Sequence, residues 1–168
     1  MNPFFDPGKR SFDLPFGCKD LIDVLHKLKA GTGQSVADSL DERFRTDCGN
    51  VGQTKKYFVR LFSSEKAKRM VTIAVSNTPI VLIIGWGGAG ANLDFVLELK
   101  HWGVRLETAI ESLFGKDVRE IDSPDSRGIH VRLPDSPIEA ARTISSLLVD
   151  GFGIEPEQEL MFNYSEFD

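Results

Sequence analysis

The apolar run Ile80-Val-Leu-Ile-Ile84 leads straight into Gly85-Trp86-Gly87-Gly88-Ala89-Gly90. An uninterrupted apolar run of this length is a buried strand, and glycines at 85, 87, 88 and 90 let the chain turn where side chains would collide. The fold must therefore hold a strand that ends in a tight bend here. The element after the bend decides the architecture. A helix would make a βα unit, and a second strand would make a hairpin.

The rest of the 168-residue chain reads as α+β. Pro3, Pro7, Pro15, Gly8 and Gly17 make residues 1–17 an irregular lead-in whose Phe4, Phe5, Phe12, Leu14 and Phe16 are expected to pack on the body. Leu21, Ile22, Leu25 and Leu28 recur at helical spacing and predict a first helix over 19–29. A second starts at Ser35, carries Val36, Leu40 and Phe44, and is expected to stop at Asp47-Cys-Gly-Asn50. Alternation at 57–62 and 71–76, followed by the run 80–84, predicts a three-stranded antiparallel meander near 57–84. Asn92 caps a predicted helix over 93–102, favoured by its leucines, Glu98 and Lys100, although Leu93, Phe95, Leu97 and Leu99 also alternate. Thr108 and Glu111 cap a helix ending at Gly115. A hairpin is expected near 117–133. Ser136-Pro137-Ile138-Glu139 is a capping box with proline at the first helical position, ahead of the stripe Ile138, Ala141, Ile144 and Leu148. A last strand is expected near 159–164. The sum is one compact domain over 1–168, with four to five helices packed on an antiparallel sheet.

Positions 85–90 also spell G-x-G-x-x-G. With the strand before it, this stretch resembles a Rossmann dinucleotide-binding fingerprint over about one βαβ unit. The resemblance implies NAD or another nucleotide as cofactor. Gly85 would permit the turn, Gly87 would admit the pyrophosphate, and Gly90 would let helix pack on strand. Glu107, closing a strand over 104–107, would hold the ribose hydroxyls. Three features speak for a glycine-rich connection with Trp86 on the core. Asp94 would compete with phosphate at the helix start, the second strand is short, and the preceding strands read as antiparallel.

Other candidates carry less chemistry. Cys18 at a helix start would favour a thiolate, and His26, His101 and His130 are available as base, but His26 lies too far along the same helix to touch it and a buried structural thiol is the preferred reading. Cys18 and Cys48 are expected as free thiols in a reducing compartment, and so the protein as cytoplasmic. No metal site is expected, since Asp122, Asp125 and Asp135 lack the ligand spacing of a calcium loop. No segment reads as membrane-spanning. Lys55, Lys56, Arg60, Lys66, Lys68 and Arg69 gather positive charge on an expected hairpin. A net charge of −5 argues against nucleic acid as partner. The C-terminal segment carries Glu155, Glu157, Glu159 and Glu166 among apolar residues, with no Lys or Arg after Asp150. It reads as an edge strand able to dock on another chain, and the basic segment is its complement, within or between chains. The expected function is protein–protein contact or self-association, without catalysis. The alternative is nucleotide binding at Gly85, Gly87, Gly90 and Glu107.

Overall fold

A computed structural model describes residues 45–167. The expected helices over 19–29 and 35–46 fall almost wholly outside that range. Seven strands form one antiparallel sheet: β1 Arg45–Gly49, β2 Lys68–Val75, β3 Val81–Gly87, β4 Gly90–Glu98, β5 Arg119–Asp122, β6 Ser126–Arg132 and β7 Leu160–Phe167. Their order across the sheet is β1-β7-β2-β3-β4-β6-β5, with every pairing antiparallel. Three α-helices accompany it: α1 Thr54–Ser63, α2 Val104–Phe114 and α3 Pro137–Ser146. The α+β class therefore holds, with three helices among the described residues where four to five were expected.

The meander exists but is displaced along the chain. Residues 57–62, expected as its first strand, form α1. There Tyr57, Phe58 and Leu61 are buried, and their spacing fits one face of a helix and no face of a strand. The meander's true third strand is β4, where a helix over 93–102 was expected. Leu93, Phe95 and Leu97 are buried while Asn92, Asp94 and Val96 are only half-buried, so the alternation of the side chains prevails over the helix propensity of leucine and glutamate. Residues 104–107, a short strand under the dinucleotide reading, are the first turn of α2, which Gly103 caps and Gly115 ends. Asp47-Cys48-Gly49, expected to end a helix, belongs to β1.

Other elements fall where expected. The 117–133 hairpin is β5–β6. Ser136 accepts a hydrogen bond from the Glu139 amide at the start of α3, with Pro137 just inside. The last strand is β7, but it is not an edge. It lies between β1 and β2 and pairs with both, so its backbone has no edge left for another chain. The edge next to β6 is β5, four residues whose Arg119, Glu120 and Asp122 are charged and exposed.

All three helices cover the same face of the sheet. Their buried residues, among them Phe58, Leu61, Leu106, Ile110 and Ile144, join one core with alternate strand residues Val71, Ile73, Leu82, Ile84, Leu93, Phe95, Ile129, Val131, Leu160 and Phe162. Trp86 packs on the edge of that core, edge-on to Phe62. Among the described residues no helix covers the opposite face, and none is long and apolar enough to cross a membrane.

Cys48 is disulfide-bonded, contrary to the expected free thiol, and the chain's other cysteine, Cys18, lies outside the described residues. The thiol argument for a reducing compartment falls with it.

The basic and acidic segments do meet, within the chain. The basic residues are not on a hairpin; they run from α1 into β2. Arg60 donates to Glu166 at 3.1 Å, Ser64 donates to the same carboxylate, and the Arg60 guanidinium lies 4.2 Å from the Tyr164 ring. Arg69 is buried beside them, stacked on Trp86 at 4.2 Å and donating to the carbonyls of Ser64 and Lys66. The Ser64 hydrogen bond, then the Arg60 contact, outweigh partial burial and hold the Glu166 carboxyl below its ordinary range. A carboxyl depressed in the folded state stabilises it above the unfolded value of 4.5, and that stability is lost as pH falls through the folded value. Glu166→Gln is therefore expected to destabilise at neutral pH and to match wild type in strong acid, as read by urea unfolding across the acid range. An equal deficit at every pH would show that the charge contributes nothing.

Candidate functional site

The helix-free face of the sheet is built by the strand residues that alternate with the core. Register fixes its rows. One row runs Asn163, Thr72, Ile83, Asp94, His130, Arg119 from β7 across to β5. Above it, towards the β3–β4 turn, lie Ser165, Met70, Gly85, Asn92 and Arg132. Below it lie Met161 beside Ala74, then Val96, Gly128 and Ile121. Met70, Ile83, Val96 and Met161 are half-buried, so the face mixes apolar and polar groups.

The glycine run belongs to this face. It is a β3–β4 hairpin, with Gly87 paired to Gly90 and Gly88 in the turn at φ +66°. Side-chain alternation puts Gly85, Gly87 and Gly90 together on the helix-free side. They do different work there. Gly90 is covered by the Arg132 guanidinium, which a Cβ would meet at 2.4 Å. Over Gly85 there is nothing within 4 Å of where a Cβ would sit. The hairpin thus leaves a side-chain-free floor between Met70 on β2 and Asn92 on β4.

The fold requirement of the Rossmann resemblance is not met. A strand, not a helix, comes after the glycines, and the neighbouring strands are antiparallel. Among the described residues no helix N-terminus stands over them to hold a pyrophosphate. Nor is Glu107 near them. It sits on α2, on the helix-bearing side, paired with Arg127, which also binds Glu120 and lies 4.5 Å from the Trp102 ring.

The structure brings together a pair that sequence reading kept apart. His130 Nδ1 and Asp94 Oδ1 are 2.6 Å apart on adjacent strands, with side chains 41% and 45% exposed. The carboxylate accepts from Nδ1, which orients the imidazole and leaves Nε2 for a ligand or solvent. Arg119 is the direct cross-strand neighbour of His130, and Arg132 lies on the same face two residues on. The signal was present as the period-two pattern of 91–97. Placing Asp94 on a helical wheel concealed it.

Remaining candidates are dispersed. Cys18 and His26 lie outside the described residues. His101 closes an exposed 3-10 turn. Asp122 ends β5, Asp125 accepts the Leu99 amide through its carbonyl, and Asp135 stands 3.9 Å from Arg132. Among the described residues, no three metal-ligating side chains gather. Two surface depressions lie at the far end of the sheet from the glycine turn, one of about 290 Å³ lined by Pro79, His101, Arg105 and Phe152, the other of about 540 Å³ lined by Val96, Glu98, Pro124 and Asp125.

No protein-family model, no curated protein and no solved structure matches this chain.

Proposed function

We propose that this domain works through protein–protein contact and that the helix-free face of its sheet is the contact surface. The observation that carries this reading is the two-layer architecture. Among the described residues, three helices and the hydrophobic core cluster lie on one side, and the other side presents half-buried Met70, Ile83, Val96 and Met161 between polar groups, with Ala74 and Ser165 buried among them. Interleaved apolar and hydrogen-bonding side chains on a flat surface are what protein interfaces are made of. The glycine floor adds reach, because a partner's side chains can approach the backbone over Gly85. Contact through the sheet edge at β5 is disfavoured by its shortness and charge.

The test is photo-crosslinking. A benzophenone-bearing phenylalanine replaces Gly85, where there is room for it, and in a second variant Val59, 45% exposed on α1. Discrete protein adducts from position 85 and none from position 59 are expected. No adduct from position 85, or the same adducts from both, would overturn the reading.

A further inference from the structure

Going beyond that reading, we infer that residues 19–44 of this chain cover the β1–β7–β2 part of the helix-free face, tied down by a disulfide between Cys18 and Cys48. The contact surface proposed above is then the other part, over β3, β4 and β6.

The tether comes first. Cys48 is disulfide-bonded, and this chain holds one other cysteine, Cys18. Register gives the direction of the bond. Asp47 faces the helices, where it accepts the Tyr57 hydroxyl, so its neighbour Cys48 faces the opposite side, beside Met161 of β7. A disulfide holds its two Cα atoms within about 7 Å of each other. Cys18 is therefore anchored on the helix-free side near one end of β1. The chain from it must return to Arg45 at the other end, about 10 Å along the strand. Residues 19–44 could reach roughly 85 Å if extended, so a stretch held at both ends of one short strand folds back over its anchors.

Burial points to the strands it covers. An uncovered antiparallel sheet keeps its outward side chains in water. Ser165 and Ala74, both on the helix-free face, are only 2% and 3% exposed. Ser165 lies on β7 one residue past the pairing of Tyr164 with Arg45, where the stretch enters β1. Ala74 pairs with Met161, which pairs with Cys48, where the stretch is tied. Among the described residues no helix lies over either. Across the sheet the same face is open, with Asp94 45% and His130 41% exposed. Gly90 and Gly128 are buried on that part too, but under Arg132 and Val96 of the sheet itself.

The chemistry matches. The row running inward from Cys48 is Met161, Ala74 and Val81, apolar throughout. Directly after Cys18 come Leu21, Ile22, Leu25 and Leu28, the apolar stripe of the helix that the spacing predicts over 19–29. A helix of that length rises about 16 Å, enough to cross from β1 to β3 at about 4.8 Å a strand. Laid on that row, the stripe and the sheet each bury apolar surface that the other would leave in water. The disulfide favours this occupant over a second copy or another protein, because it holds the stripe beside the row at a high effective concentration.

Peptide mapping of the non-reduced full chain, with photo-crosslinking from Met161, tests this. Photo-methionine, a diazirine of nearly methionine's shape, takes the place of the chain's three methionines, and peptide mapping separates their adducts. Mixing isotope-labelled with unlabelled chain separates links within a chain from links between chains. A Cys18–Cys48 peptide pair is expected, together with an adduct from position 161 to a peptide within residues 19–44 of the same chain. Cys48 found free or linked to a second copy overturns the inference. So does an adduct from position 161 only to another chain, or none at all. Failure of the contact reading looks different, since position 85 then yields no adduct while position 161 still links to residues 19–44. If the cover fails instead, contact through the helix-free face stands wherever position 85 still crosslinks to another protein.

Discussion

Phe162→Ala is expected to be among the most damaging single truncations in this protein, costing about 3–5 kcal/mol of stability. Phe162 is fully buried on β7, and β7 is the strand that joins β1 to the rest of the sheet. Its ring stacks on Tyr57 of α1, with centroids 4.6 Å apart and planes 9° from parallel. Tyr57 is itself fixed from its other end, donating its hydroxyl to Asp47 of β1 at 2.6 Å. Burial first, and that hydrogen bond second, raise the Tyr57 hydroxyl well above its ordinary pKa, so it stays a donor into alkaline solution. A Cβ at Gly49 would meet the Gln53 side chain first, and then the Phe162 edge at 3.3 Å. Truncation therefore removes a large apolar area, an aromatic pair and the filling between a helix and two strands, and a strand on both sides of the gap limits collapse into it. A fall in Tm of roughly 10–20 °C is expected by calorimetry. Val59→Ala, on the exposed side of the same helix, should stay within about 0.5 kcal/mol. A loss below about 1 kcal/mol for Phe162→Ala would mean that the β1–β7–α1 corner is not packed as described.

That corner also shows what sequence patterns can and cannot carry. Tyr57-Phe58-Val59-Arg60-Leu61-Phe62 is rich in β-branched and aromatic residues, and local propensity favours a strand. It becomes a helix because burying Tyr57, Phe58 and Leu61 together needs a helical period, and the core surface waiting for them is supplied by β7 and α3, distant in sequence. Residues 93–98 err in the opposite direction for the same reason. Leucine and glutamate favour helix locally, but the slot between β3 and β6 requires an extended chain with Leu93, Phe95 and Leu97 inward. Elements with local stop and start chemistry are legible without such help. Ser136 and Pro137 announce α3, and the β5–β6 hairpin is marked by its turn residues around Pro124. The candidate surface is legible only in part. The glycines at 85–90 were visible as the feature to explain, but their common face, and the meeting of Asp94 with His130, depend on strand register, which no short window of sequence encodes.

Two glycines on that face are expected to respond in opposite ways to the same replacement. Gly128→Val should cost about 2–3 kcal/mol, because the added Cβ would lie 2.8 Å from Val96 Cγ2 and 3.0 Å from the Phe95 carbonyl oxygen. The second of these is backbone in a paired strand, which cannot withdraw without breaking the β4–β6 ladder. Gly85→Val meets nothing within 4 Å, and in a strand a β-branched residue is favoured over glycine, so its stability should be unchanged or raised by up to about 1 kcal/mol. Chemical denaturation of the two variants beside wild type measures both. Equal losses would mean that Gly85 is held as tightly as Gly128 and that the open floor is absent in solution. With the expected split, Gly128 is glycine because β4 leaves it no room, whereas nothing inside the described fold demands glycine at 85. The bare position then belongs to the surface, which makes Gly85 the place to probe the proposed contact.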